Sequence, residues 1–163
     1  MPDQVPRRTV FSQEDVVWMG YAMDLARRAG QHGEVSVGAV LVRDGGLVGE
    51  GWNRMLALND PTAHAEILAL RAAGERLGNY RLPGCTLYAT LEPCCMCAGA
   101  MIHARIERLV FAAPDPKTGA AGGCFDSLLS PLHNHHINVE AGCLADECGA
   151  LLQGFFQARR RRC

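Results

Sequence analysis

The chain has 163 residues, of which 48% are hydrophobic and 20% charged, and its formal net charge is −1. This length supports one domain with a substantial core. The near-zero charge excludes a general attraction to nucleic acid, and no apolar run approaches the roughly 20 residues of a membrane helix. We expect residues 1–11 to be a disordered tail and residues 12–163 to form a single domain. Without an apolar segment after the basic start, we predict a cytoplasmic protein with free thiols.

The first predicted elements are a helix and a β-hairpin. Ser12 precedes acidic residues and an apolar helical rhythm, which predicts a capped helix that ends near Gly30. The apolar run 37–42 predicts a strand buried on both faces. Residues 47–52 return as its hairpin partner after an Asp-Gly-Gly turn. Residues 53–59 are predicted to be a loop.

Helices and strands alternate along the rest of the chain. Asp60 and Pro61 predict the start of a second helix. Three further strands are predicted, over residues 85–90, 106–111 and 137–140. A cysteine-rich helix is expected to open at Pro93, and a last helix near Leu144. This alternation predicts an α/β fold, in which a mainly parallel sheet with one hairpin carries helices on both faces.

Two cysteines at the start of a predicted helix, Cys94 and Cys97, have the spacing of metal ligands. Alone, this spacing suits a structural zinc site, a redox disulfide or a catalytic metal. His64, in the predicted second helix, supplies a third zinc ligand and leaves the fourth coordination position for water. Zinc lowers the pKa of that water to near 7. Glu66 then supplies a carboxylate that can carry protons.

The spacing of His64 and Glu66 restricts where such a metal can lie. Residues two apart do not share a helix face, so both reach one ion only near the helix N-terminus. Cys94 occupies the same end of its own predicted helix. The sequence therefore predicts that two helix N-termini, with their partial positive charges, point at one ion.

The pattern His64-x-Glu66 followed by Pro93-Cys94-x-x-Cys97 resembles the signature of the cytidine and nucleotide deaminase superfamily. Within it, the chain is similar to the bacterial tRNA-specific adenosine deaminases from about residue 15 to residue 160. The segments that carry this closer similarity are residues 51–54, 60–66, 79–82, 91–94, 115–122 and 151–160. The resemblance implies a three-layer α/β/α sandwich with a mixed five-stranded sheet, a homodimer, and one zinc ion per subunit.

The resemblance also implies a reaction, the hydrolytic deamination of adenosine to inosine at the wobble position of tRNA. In bacteria the usual substrate is an arginine tRNA. Glu66 is implied to shuttle protons between zinc-activated hydroxide, the purine and the leaving amine. Substrate binding is implied for Asn53, Ala65, Glu92 and Asp115. Contacts to the anticodon stem-loop are implied for Lys117, Phe156 and Arg160.

Two other functions remain open from the sequence. A deaminase of a free base or nucleoside, of the guanine or cytosine type, keeps the zinc site. Such an enzyme has no use for Lys117, Phe156 or the four arginines near the end of the chain. A non-catalytic RNA-binding zinc module is the second alternative, and in it the replacement of Glu66 changes no chemistry. The helical pattern leaves Phe156 equally suited to packing or to stacking on a base.

Overall fold

A computed structural model describes residues 10–162, so most of the predicted tail and Cys163 lie outside the described residues. Helices and strands alternate along that range, as the sequence indicated. Their bounds are α1 (Gln13–Gln31), β1 (Gly38–Arg43), β2 (Gly46–Trp52), α2 (Met55–Leu58), α3 (Ala65–Leu77), β3 (Thr86–Leu91), α4 (Cys95–Ala104), β4 (Arg108–Ala113), β5 (Asn138–Ala141) and α5 (Ala145–Arg160). A 3-10 turn at Ser127–Leu129 precedes β5. Among the described helices, none is both long enough and apolar enough to span a membrane.

The five strands form one mixed sheet in the order β2-β1-β3-β4-β5. Strand β1 is antiparallel to both β2 and β3, while β3, β4 and β5 run parallel. Helices α3 and α4 pack on one face of this sheet, and helices α1 and α5 pack on the other. The predicted three-layer α/β/α sandwich with a mixed five-stranded sheet is therefore confirmed.

Alternate residues of each central strand supply the two cores. In β1, Leu41 points to the α3 and α4 side, and Val40 points to the α1 and α5 side. Val40 lies opposite Tyr88 in β3, which in turn lies opposite Val110 in β4. Because side chains alternate across a strand, one apolar run fills both layers, as the sequence predicted. Full burial of such a side chain contributes about 1.5–3 kcal/mol.

Two glycines in β2 allow α3 to lie directly on the sheet. A Cβ atom at Gly51 would stand 2.4 Å from the carbonyl oxygen of Ala65, and one at Gly49 would stand 2.3 Å from that of Ala69. Any larger residue would push the helix outwards. The start of α3 is therefore fixed against the sheet, close to His64.

A partly buried ionic cluster, centred on the buried Asp15, fastens α1 to the sheet. Ser12 caps α1 as predicted, and together with Asp15 it forms a capping box. The Arg108 guanidinium donates to both Asp15 carboxylate oxygens, at 2.7 and 2.9 Å, and also pairs with Glu140. The Tyr88 hydroxyl donates to the same carboxylate at 2.7 Å. The hydrogen bonds from Arg108 hold the pKa of Asp15 well below its usual range.

The helix predicted from Asp60 begins later, at Ala65. The Asp60 carboxylate instead accepts the backbone N–H of Thr62 at 2.8 Å, which closes a local turn. The backbone is extended at His64, with φ −72° and ψ 153°. The prediction of the helix start was wrong because the Asp60 side chain caps a turn and not the helix.

The predicted loop 53–59 contains a short helix, α2. The Glu34 carboxylate, which is buried, accepts the backbone N–H groups of Leu56 at 3.3 Å and Ala57 at 2.9 Å. This carboxylate satisfies the free N–H groups at the start of α2 from 22 and 23 residues away. A local pattern contains no signal for such a cap.

Candidate metal centre and active site

Three side chains converge where α3 and α4 begin. His64 is the N-cap residue of α3, Cys94 is the N-cap residue of α4, and Cys97 lies in the first turn of α4. In the described part of the chain, this is the group of potential metal ligands whose donor atoms all lie within 4.8 Å of one another. The structure thus brings the three predicted ligands together at the N-termini of two helices.

Two of the predicted ligands lie just before their helices, and not in the first helical turns where the sequence placed them. Pro93 was predicted to open α4, but Cys94 is still extended and the helix starts at Cys95. The Pro93 carbonyl accepts the backbone N–H of Ala120 at 2.8 Å, which ties this residue to a distant loop. His64 and Cys94 therefore lie at the caps of their helices and not inside the first turns.

The distances between the three donor atoms fit a tetrahedral zinc ion. His64 Nδ1 lies 3.6 Å from Cys94 Sγ and 3.5 Å from Cys97 Sγ. Tetrahedral zinc with bonds of about 2.3 Å to sulfur and 2.0–2.1 Å to nitrogen places such atoms about 3.6 Å apart. The set of two thiolates and one imidazole therefore suits zinc.

The electrostatics of the site favour a thiolate. The neighbouring Cys97 thiol, together with His64, lowers the pKa of Cys94 to about 4. The hydrogen bond with Cys94 in turn raises the pKa of His64. Because zinc binds deprotonated thiols, the low pKa of Cys94 favours metal binding at neutral pH. The contact with Cys94, together with burial, raises the pKa of Cys97 well above its usual range, so metal binding at Cys97 must release a proton.

Glu66 lies in the first turn of α3, beside these ligands, and is only 4% exposed. Its Oε2 accepts a hydrogen bond from Cys97 Sγ at 3.6 Å. Burial raises the pKa of this carboxyl group. A raised pKa brings the group closer to neutral pH, where a carboxyl group that exchanges protons works best.

Asn53 links the end of β2 to the start of α3. Its Oδ1 accepts the backbone N–H of Ala65 at 2.9 Å, so it caps the helix from another segment. Ala65 itself is fully buried. With Oδ1 occupied, the amide NH₂ is the part of the Asn53 side chain that remains available to the cavity beside it.

A cavity of about 610 Å³ lies in front of the metal ligands. The predicted residues on its wall are Asn53, His64, Glu66, Glu92, Cys94, Asp115, Lys117 and Phe156. Ala65, predicted to bind substrate, is not on this wall: it is fully buried, and its backbone N–H is donated to Asn53 Oδ1. The sequence analysis missed several wall residues from other elements, namely Val37, Met55, Thr118, Leu152 and Gln153. These residues are apolar or uncharged. Thr118, Leu152 and Gln153 lie in segments that carry the family resemblance, but no metal-binding or catalytic motif singles them out.

A second cavity, of about 530 Å³, adjoins the first and shares Lys117 and Phe156 with it. Arg159 and Arg160 form the rest of its wall. Phe156 is 41% exposed, so the structure favours the exposed alternative for this residue. Arg159 was not singled out from the sequence, although the arginine run that contains it was noted.

Comparison with known proteins identifies the family. Residues 12–113 match the model of the cytidine and deoxycytidylate deaminase zinc-binding region. The chain belongs to this family. It is also 53% identical over 152 residues to the tRNA-specific adenosine deaminase of Haemophilus influenzae, which covers 93% of this chain and 88% of the relative. This similarity confirms the expected relation to the bacterial tRNA-specific adenosine deaminases.

Two solved structures show how far the similarity extends. A structure from studies of A-to-I editing by tRNA A34 deaminases superposes with a TM-score of 0.81 at 46% identity, covering 83% of this chain and 99% of that chain. A guanine deaminase from Nitrosomonas europaea superposes with a TM-score of 0.76 at 31% identity, covering 92% and 87%. The family and the His/Cys/Cys geometry together fit one zinc ion per subunit.

Proposed function

We propose that this protein deaminates adenosine to inosine at the wobble position of tRNA, and that an arginine tRNA is its substrate. The observation that carries the proposal is the second cavity, which adjoins the first and is basic and aromatic. A flipped base fills the first cavity, while neighbouring phosphates and bases need a surface of this kind. The tRNA-specific relatives support the same substrate.

The proposed chemistry divides between metal binding and proton transfer. His64, Cys94 and Cys97 hold zinc, which when bound acts as a Lewis acid that makes water nucleophilic at neutral pH. The Glu66 carboxylate takes a proton from the water that attacks C6 and delivers it to purine N1. It then carries a second proton to the leaving amine. The sum is adenosine and water converted to inosine and ammonia.

The other residues of the first cavity orient the base. We assign the Asn53 NH₂ group as a donor to a purine acceptor, because its Oδ1 is held by Ala65. Asp115 lies on the cavity wall, where we place the target ribose. Lys117 and Arg160 are proposed to contact phosphates, and the exposed ring of Phe156 is proposed to stack on a base.

A homodimer in the cytoplasm is part of the same proposal. A groove of about 780 Å³ between α3 and α4 is lined by apolar residues that include Leu70, Met96 and Ala100, beside His103. We propose that a second copy of the chain covers it, which an Ala100→Arg variant and sedimentation can test. Zinc-binding thiolates stay reduced in the cytoplasm, where tRNA is available.

The test of the proposed activity is incubation of the zinc-loaded protein with an arginine anticodon stem-loop, followed by measurement of inosine. We expect inosine and an equal amount of ammonia, both abolished by Glu66→Ala. Ammonia that is unaffected by Glu66→Ala would reject the mechanism. RNA binding with no ammonia in the wild type would favour the non-catalytic alternative.

Free-base deamination is the second candidate, favoured by the similarity to the guanine deaminase. Guanine, cytosine and their nucleosides therefore belong in the same assay. Activity on any of these, without activity on the stem-loop, would replace the proposed substrate. The two functions share the zinc ligands and Glu66, so only the substrate comparison separates them.

A further inference from the structure

The loop that follows β4 wraps around one buried carboxylate. Glu92 is 3% exposed. Its Oε1 accepts the backbone N–H of Asp115 at 3.2 Å, and its Oε2 accepts those of Ala121 at 3.1 Å and Gly123 at 3.0 Å. Three backbone donors thus converge on a single side chain, so little of its hydrogen-bonding capacity remains for a ligand.

Two glycines allow the loop to come this close. A Cβ atom at Gly119 would stand 2.1 Å from Glu92 Oε2, and one at Gly123 would stand 2.5 Å from Oε1. Both would also collide with the carbonyl oxygen of Asp115. The backbone is therefore shaped around the Glu92 carboxylate.

The same loop is fixed relative to the metal ligands. Ala120 donates its backbone N–H to the carbonyl of Pro93, the residue directly before Cys94. Glu92 donates its own N–H to the carbonyl of Ala113 at the end of β4. The segment 92–94 thus fixes both the zinc ligand Cys94 and the loop that forms part of the cavity wall.

We propose that Glu92 is a positioning residue and not a substrate-binding group. This inference rests on the proposed action on RNA. The carboxylate holds residues 115–123 in place, so that Asp115 and Lys117 stand at fixed positions relative to Cys94. The Asp115 carboxylate accepts the backbone N–H of Lys117 at 3.0 Å, which gives this part of the cavity wall a defined shape. Glu92 acts on the substrate only through this loop.

Glu92→Gln tests the proposal with little change in size. The single amide oxygen can serve either the Asp115 N–H or the pair at Ala121 and Gly123, and the amide NH₂ then faces an N–H donor. The loop loses at least one hydrogen bond to a charged acceptor. Zinc content should remain at one per chain, because the ligands are unchanged.

The matched control is Glu34→Gln, since Glu34 is also a buried carboxylate that accepts backbone N–H groups. In free protein, Glu92→Gln should raise amide hydrogen exchange about tenfold, either at Asp115 or at the pair Ala121 and Gly123, according to which N–H the Gln oxygen no longer accepts. Exchange at Leu56 and Ala57 should stay unchanged. Glu34→Gln should give the opposite pattern. Unchanged exchange in residues 115–123 of the Glu92 variant would overturn the proposal.

A double-mutant cycle with Lys117→Ala separates positioning from direct contact. We measure the stem-loop concentration that gives half-maximal single-turnover deamination. If Glu92 acts through the loop, Glu92→Gln weakens binding about tenfold, and adding Lys117→Ala changes the result by less than about twofold. If the fold-change of the double variant equals the product of the two single fold-changes, the proposal is overturned. For the control pair, Glu34→Gln with Lys117→Ala, we expect the double fold-change to equal that product.

If Glu92→Gln does not fold, a substitution in the loop itself provides a second test. Gly123→Ala presses on the same carboxylate and should raise exchange in the loop while zinc is retained. The exchange experiment needs no substrate. If the wild type forms no inosine, the proposed function fails, and the exchange data still decide whether Glu92 holds the loop.

Discussion

The two ends of the Asn53 side chain have different roles, which two substitutions can separate. Oδ1 accepts the N–H of Ala65 at 2.9 Å and so holds the start of α3. The NH₂ group is available to the cavity. Asn53→Ala removes both groups. Asn53→Asp keeps the oxygen acceptor and replaces the NH₂ donor with an acceptor.

The expected changes in stability follow from these contacts. Asn53→Ala leaves the N–H of the fully buried Ala65 without a partner, which costs about 2 kcal/mol. For a chain of this size, that cost lowers the melting temperature by about 6 °C. Asn53→Asp should stay within about 1 kcal/mol of the wild type, since a carboxylate caps a helix as well as an amide and suits its positive end.

Activity should follow a different order from stability. Both variants lose the proposed donor to the purine, so kcat/KM for the anticodon stem-loop should fall at least about a hundredfold in each. Asn53→Asp is the decisive variant, because it combines near-normal stability and zinc content with lost activity. The control is Asn134→Asp: Asn134 is exposed, its side-chain oxygen accepts from Arg105 outside the site, and its replacement should change neither quantity.

Two results would refute this assignment. Normal kcat/KM in Asn53→Asp would show that the NH₂ group does not contact the base. A melting temperature of Asn53→Ala equal to that of the wild type would show that the bond to Ala65 does not hold α3. Thermal unfolding, zinc content and single-turnover kinetics on the same preparations decide both points.

Three further predictions concern stability, metal and RNA binding. The depressed pKa of Asp15 contributes stability above its unfolded value of about 3.9, which is lost as the pH falls through the lower folded value. Asp15→Asn should therefore cost about 3 kcal/mol at pH 7 and less below pH 4, by chemical denaturation; an equal cost at both pH values would contradict this. Zinc removal by a chelator should abolish activity and lower the melting temperature, and zinc should restore both unless Cys94→Ser is present. Lys117→Ala and Arg160→Ala should each reduce the slope of log binding constant against log salt by about 0.7; an unchanged slope argues against a phosphate contact.

Strong periodic patterns made most of the fold predictable. The capping box of α1, the doubly buried β1 and its hairpin with β2 depend on neighbours in sequence, and each lies where the sequence indicated. The order of the sheet required the family resemblance, because strand adjacency depends on contacts between distant segments. The start of α3 and the existence of α2 were missed for the same reason: their caps, Asn53 and Glu34, come from elsewhere in the chain.

The site was predictable where chemistry restricts the residue type. Zinc needs thiolate and imidazole donors at fixed spacing, so His64, Cys94 and Cys97 were visible in the sequence. The apolar cavity wall was not visible, since residues such as Val37 and Leu152 can pack anywhere in a core. The family resemblance placed Glu92 near the substrate, but only the structure shows its carboxylate turned to three backbone N–H groups.

We expect selection between substrates to depend on the part of the cavity wall that adjoins the second cavity, which we call the outer wall, and not on the metal centre. The similarity to both a tRNA A34 deaminase and a guanine deaminase shows that one fold serves a base within RNA and a free base. In this chain the outer wall consists of the loop around Glu92 and the end of α5, which contribute Lys117 and Phe156 to the walls of both cavities. Loosening that wall should therefore weaken RNA binding before it affects zinc content or the proton transfer that we propose for Glu66. A variant with a mobile loop, normal zinc content and normal single-turnover rate at saturating RNA would show this separation directly.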